Sequence, residues 1–142
     1  VAATSRGVGD SGDILIQSDR VRVGGGADIS ATAFAQGRSG NLTVRASESI
    51  ELFGARINPN NPRDFSRSGL FAATEGIQDG GSITIITPRF LVRDGARVSV
   101  STRGSGTATA RGGRGGNLTV IAAQSVQLRG SSADGRFPSG LF

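Results

Sequence analysis

Cysteine, histidine, lysine, methionine, tryptophan and tyrosine are all absent from this 142-residue chain. Each absence removes a class of chemistry. Without Cys or His there is no disulfide, no thiol nucleophile and no zinc site of the usual kind. Without His or Lys the many serines have no ordinary base to activate them, which argues against the common hydrolytic arrangements. Long apolar runs are missing too, so no segment approaches the ~18 residues of a membrane-spanning helix, and no signal peptide opens the chain. Because Val1 is not a start methionine, the sequence reads as a mature or excised piece.

What remains is rich in glycine (23 residues), with 4 prolines, 7 phenylalanines and 36% hydrophobic residues. That is too apolar for a disordered linker and too glycine-rich for a helical bundle. The length suits one domain with a thin core of Ile, Leu, Val, Ala and Phe. The formal charge of +5 comes from 16 arginines and 11 carboxylates interspersed along the chain. Interspersed signs predict a solvated, mixed surface rather than a dedicated anion-binding patch.

Internal repetition dominates the pattern. Four segments open alike: GDILI at Gly12, GNLTV at Gly40, GSITI at Gly81 and GNLTV at Gly116. The first and third align without a gap, Gly12–Thr32 against Gly81–Ser101. The second and fourth share GNLTVxAxxSxxLxG and a later SGLF, at Ser68–Phe71 and Ser139–Phe142. VAAT at Val1–Thr4 also resembles FAAT at Phe71–Thr74. The two unit types thus form a pair present twice, residues 1–71 and 72–142, expected to be one segment excised from a longer array.

The repeat settles ARGGRGGNLTV (Ala110–Val120), whose Arg-Gly tract has the look of an RNA-binding tail. Its counterpart is AQGRSGNLTV, Ala35–Val44, so the tract reads as a glycine-rich turn feeding a strand. RNA-binding tracts of this kind usually repeat many more times and carry stacking aromatics. No nucleic-acid partner is expected.

Within each unit, alternating apolar pairs mark short strands with one buried face: Ile14 and Ile16, then Val21 and Val23, then Ile29 and Ala31. The second unit type offers Leu42 and Val44, then Ile50 and Leu52. Equivalent positions carry the same residue class. One inward column reads Ile14, Leu42, Ile83, Leu118; the next reads Ile16, Val44, Ile85, Val120; the outward column between them reads Leu15, Thr43, Thr84, Thr119. Three short strands per unit, joined by turns too tight for helices, predict an all-β parallel β-solenoid of about four coils, ~20 Å tall at the ~4.8 Å strand spacing. Ala55–Arg67 and Ser101–Arg114 are expected to protrude as rim loops.

GGSITIITPRFLVRDGARVSVST (Gly80–Thr102), the two GNLTV strands and SSADGRFPSGLF (Ser131–Phe142) resemble the repeat region of filamentous-haemagglutinin-like exoproteins of the two-partner secretion pathway, of the large cyanobacterial type. The resemblance covers essentially the whole chain and carries no catalytic residue. It implies a right-handed parallel β-helix and a secreted, surface-associated location. It further implies an adhesive or surface-layer-like role and, for the parent protein, an outer-membrane transporter as partner. That family's N-terminal secretion domain is not recognisable in these residues.

Glycoside hydrolysis requires two carboxyls across a groove; the acids here sit mostly in turns, as in Asp94-Gly95, and Asp13 is expected beside Asn41 and Ser82 in a turn column. The calcium-binding nonapeptide pattern is not met by GVGDSGD (Gly7–Asp13) or QDGG (Gln78–Gly81). Asn41 and Asn117 begin N-x-T sequons at strand mouths, where stacked turn residues explain them better than sugar acceptors. One threonine per row is a poor ice-ordering array. No metal, cofactor, catalytic residue or membrane insertion is expected.

A contact site belongs most naturally on a loop. In INPNNPRDFSRSG (Ile57–Gly69), Asn60, Asn61, Arg63 and Arg67 are the candidates for touching cell-surface glycans or a neighbouring filament. The competing expectation is that Phe65 and Phe137 fold back over the edge as structure. The leading function is a non-enzymatic structural or adhesive stalk segment. The alternative is a polysaccharide-binding or polysaccharide-processing domain.

Overall fold

A computed structural model describes residues 1–34, 37–102 and 113–142, except for the side chain of Pro62. Eleven strands follow in order among these residues. They are β1 (Ala2–Ser5), β2 (Ile14–Gly24), β3 (Asp28–Ala33), β4 (Leu42–Phe53), β5 (Ala55–Asn58), β6 (Asn61–Arg67), β7 (Gly69–Thr74), β8 (Ile83–Arg93), β9 (Arg97–Thr102), β10 (Leu118–Arg129) and β11 (Gly140–Leu141).

The expectation of a right-handed parallel β-helix of about four coils is corrected. The strands belong to three separate sheets, not to one solenoid stack: a five-stranded parallel sheet ordered β1-β3-β7-β9-β11, a four-stranded parallel sheet ordered β10-β8-β4-β2, and the antiparallel hairpin β5-β6. The physical reason lies in the middle of the long strands. Ile16 and Val21 are an odd number of residues apart, so an uninterrupted strand would turn them to opposite faces. Register irregularities between Ser18 and Arg20, Arg45 and Ser49, and Ala122 and Ser125 reset the phase. Two anticipated short strands therefore merge into one strand of 11 or 12 residues. Each unit supplies one strand to each of the two parallel sheets rather than three sides of a coil.

The side-chain columns do coincide with the strand register. Ile14 pairs with Leu42, Leu42 with Ile83 and Ile83 with Leu118; Leu15, Thr43, Thr84 and Thr119 align between them. The inner faces of both parallel sheets meet in one apolar cluster. Leu42, Val44, Ile50, Leu52, Ile83, Ile85, Phe90 and Val92 enter it from the four-stranded sheet, and Ile29, Leu70, Ala72 and Val98 from the five-stranded sheet.

Turn chemistry fixes where the chain passes between sheets. Gly25 and Gly26 have φ of 66° and 83°, and the matching Asp94 and Gly95 have 55° and 86°, a left-handed pair that favours Gly, Asn or Asp. A second turn column stacks closely. A Cβ added to Gly40 would lie 2.2 Å from the Gly12 carbonyl oxygen, one on Gly81 1.9 Å from that of Gly40, and one on Gly116 2.0 Å from that of Gly81. Beside it, Asp13 accepts the Asn41 amide at 2.6 Å, Asn41 Oδ1 accepts the Ser82 amide at 3.1 Å, and Ser82 Oγ accepts the Asn117 amide at 3.2 Å. The end of the Arg-Gly tract joins this turn: a Cβ on Gly113 would meet the Gln78 carbonyl at 2.1 Å. Arg111 and Gly112 lie outside the described residues, as does most of the anticipated rim loop Ser101–Arg114.

Candidate binding cleft

Residues Asp28 to Phe34 alternate between the core and the outside. Ile29, Ala31 and Ala33 are buried, so Asp28, Ser30, Thr32 and Phe34 project from the outer face of the five-stranded sheet. Phe71 and Ala73 on β7 and Ser101 on β9 continue that outer face, and the hairpin stands beside it. Phe65 and Arg67 from the hairpin help to close a cleft of about 410 Å³. That volume is within the range of small-ligand and sugar sites.

The hairpin is an ordered element. Ala55 pairs with Arg67 and Ile57 with Phe65. Asn58 Nδ2 donates to Asp64 Oδ2 at 2.8 Å, and Asn58 Oδ1 accepts the Asn60 amide at 3.0 Å, which closes the tip. At its base, Arg67 Nε donates to the Gly95 carbonyl at 2.8 Å, while Nη2 donates to the Pro138 carbonyl. Phe65 stacks on Phe137 with ring centroids 4.5 Å apart, and the Arg67 guanidinium lies 5.2 Å from the Phe137 centroid. Burial, and secondarily the charge of Arg97, push the Arg67 guanidinium below its ordinary pKa, and it remains a cation.

The four loop candidates therefore separate. Asn60, Asn61 and Arg63 are exposed towards the tip; the Arg63 amide donates to Asn61 Oδ1 at 3.2 Å. Only Arg67 lines the cleft, and it is fastened to backbone carbonyls. Arg97 also lines the cleft, with its guanidinium 5.5 Å from the Phe71 centroid and 5.4 Å from that of Phe142. Sequence reasoning missed Ser30, Thr32, Phe34, Phe71 and Arg97. Their outward alternation was legible, but the element facing them was not.

Comparison with family models, with curated proteins and with solved structures finds no match for this chain. The cleft's own chemistry carries the reading. Phe34 and Phe65 are 45% and 42% exposed, an unusual solvent exposure for two rings beside one groove. With hydroxyls and arginines nearby, they suit a ligand that has both apolar ring faces and polar or anionic groups. Two carboxylates, Asp28 and Glu75, also line the cleft, but at opposite ends. Thr74 pairs with Ala33, and Asp28 precedes Ala33 by five residues, about 16 Å along the strand. Glycoside hydrolysis needs carboxyls ~5–9.5 Å apart. Among the described residues no three potential metal-ligating side chains cluster, and no helix is long and apolar enough to cross a membrane.

Most other charged side chains of the long strands serve the surface. Glu51 accepts from Arg22 Nε and Arg93 Nε, each at 2.9 Å, and Arg20 pairs with Glu48. Phe53 lies between two guanidinium groups, 5.1 Å from Arg22 and 4.9 Å from Arg93. The hydrogen bond to Glu51, followed by that to Asp94, raises the Arg93 pKa.

Proposed function

We propose that this chain is a non-enzymatic structural and adhesive segment of a secreted, surface-associated protein, with glycan contact made in the cleft between the hairpin and the five-stranded sheet. The exposed Phe34–Phe65 pair beside Arg67 and Arg97 is the observation that carries this reading. Aromatic rings stack on the apolar faces of sugars, while the positive charge of nearby guanidinium groups attracts carboxylate or sulfate substituents. The scaffold suits a load-bearing role, because parallel sheets tied through stacked turns resist local opening. In the filamentous-haemagglutinin-like reading, an outer-membrane two-partner-secretion transporter serves the parent protein, and neighbouring filaments are a further partner class. Processing of a polysaccharide is the weaker reading, because the cleft carboxylates stand too far apart to share a glycosidic bond.

The test is retention of the folded 142-residue chain on immobilised acidic and neutral polysaccharides across a salt series. Saturable retention that survives moderate salt and falls at least about fivefold in Phe34→Ser supports the cleft, since one base-like ring stack is worth ~1–3 kcal/mol. A folded chain that no polysaccharide retains overturns the adhesive part of the proposal.

A further inference from the structure

β4 and β10 each carry one more residue than β8 at the same place in the four-stranded sheet. β4 runs from Arg45 to Ser49 where β8 runs from Ile86 to Arg89, and β10 runs from Ala122 to Ser125 where β8 runs from Thr87 to Arg89. Both irregularities flank Pro88, which has no amide hydrogen to give to a neighbouring strand. Bulges of this kind re-aim the side chains beside them.

A groove of about 250 Å³ follows on the outer face, over β8 and between β4 and β10. Ile50 and Phe90 are buried beneath it, while Ser49, Glu51, Arg89, Leu91, Ser125 and Gln127 border it from outside. Its walls are consecutive strands of one sheet, so both sides are closed within the chain.

Charge is unbalanced there. Glu51 is already taken by Arg22 and Arg93, and Arg93 also pairs with Asp94. Those four groups offset one another, which leaves the exposed Arg89 as the uncompensated charge. Among the described residues its guanidinium makes no hydrogen bond or ion pair, unlike those of Arg20, Arg22 and Arg93 on the same face. Ser49 and Ser125 stand beside Arg89 in register, one on each side. Among the described residues neither hydroxyl has a hydrogen-bond partner, and nor does the Gln127 side-chain amide.

We infer that this groove is a second saccharide site, which takes one acidic sugar residue by its carboxylate. An uncommitted guanidinium offers a carboxylate two parallel N–H donors. The two serine hydroxyls and the Gln127 amide can both donate to and accept from sugar hydroxyls, and Leu91 supplies an apolar floor. The volume lies below the ~300–1,000 Å³ of pockets that enclose a whole ligand, so the groove suits one unit of a longer chain. The class of ligand rests on the glycan reading above, whereas the groove shares no residue with the cleft.

Titration of the 142-residue chain with tetragalacturonate, followed by amide NMR, tests this. Amides of Ser49, Arg89, Ser125 and Gln127 are expected to shift saturably with the acid and not with its methyl ester. Arg89→Gln is expected to keep the wild-type circular dichroism and to weaken that response at least about tenfold. Ser125→Ala is expected to weaken it less, and Phe34→Ser to leave it unchanged. A titration that leaves the groove amides unmoved overturns the inference; where Ser30, Thr32 and Phe34 still shift, the cleft reading survives it. Equal groove shifts with the methyl ester or with sodium sulfate, or a folded Arg89→Gln chain that responds like wild type, would also overturn it.

Discussion

Phe65 of the hairpin stacks on Phe137, 72 residues later in the 142-residue chain, with a centroid separation of 4.5 Å. The same Phe137 ring receives the Arg67 guanidinium, and Arg67 is in turn bound to Gly95 and Pro138. The hairpin is thereby tied to two later turns.

Phe137→Ala is therefore expected to destabilise the fold by about 1–2 kcal/mol, from the lost ring stacking and cation–π contact. Hydrogen exchange should show where the effect falls. Amides of the hairpin, such as those of Ile57 and Phe65, are expected to lose protection before those of β8. Equal loss in both places would mean that the hairpin is not held through this ring.

The glycine column predicts a contrast within one residue type. Gly81→Ala places a Cβ 1.9 Å from the Gly40 carbonyl, and two rows must separate to admit it. A loss of about 3 kcal/mol is expected in denaturant unfolding. Gly115→Ala, with nothing within 4 Å, is expected to be near neutral. Comparable midpoints for the two variants would contradict the close stacking.

A second contrast concerns Phe90 and Val126, which pair across β8 and β10. Phe90→Ala opens a void in the buried row and is expected to cost about 3–5 kcal/mol. Val126→Ala, at a half-exposed edge, is expected to cost under ~1 kcal/mol.

The Ser131–Pro138 corner should respond to acid through Asp134. Asp134 is held below its ordinary pKa chiefly by the Ser132 hydroxyl, with help from the Arg136 amide and charge. A carboxyl whose folded pKa is depressed contributes stability above its unfolded pKa, and that contribution is lost as pH falls through the folded value. The corner is thus expected to loosen only as pH falls below the ordinary carboxyl value of 3.8, seen as a local chemical-shift change at Ser132 and Arg136. Asp134→Asn should abolish that acid-dependent change. Because the carboxylate is exposed, the effect on global stability is expected to be small.

Much of the register was legible in the sequence. Period-two apolar pairs and the recurring GNLTV-like openings placed Ile14, Leu42, Ile83 and Leu118 in one column, because parallel pairing brings like positions together. The glycine openings and Asp94-Gly95 were legible for a related reason, since backbone crowding and left-handed φ leave few residue choices. Strand length was not legible. Whether Ile16 and Val21 end two strands or lie on one depends on an irregularity at Ser18–Arg20, and its energy is set by packing against the neighbouring strand.

The cleft was the least visible part. Asn60, Asn61, Arg63 and Arg67 looked equivalent as a polar loop, but pairing of Ala55 with Arg67 sends the first three to the tip and leaves only Arg67 beside the sheet. By itself, the sequence determined which residues share a row, because local alternation and turn stereochemistry act over a few residues. The tertiary structure alone decided how those rows divide into sheets and which surfaces face each other across the cleft. Those outcomes rest on contacts such as Phe65 with Phe137, whose partners are far apart in the chain and carry no local signal.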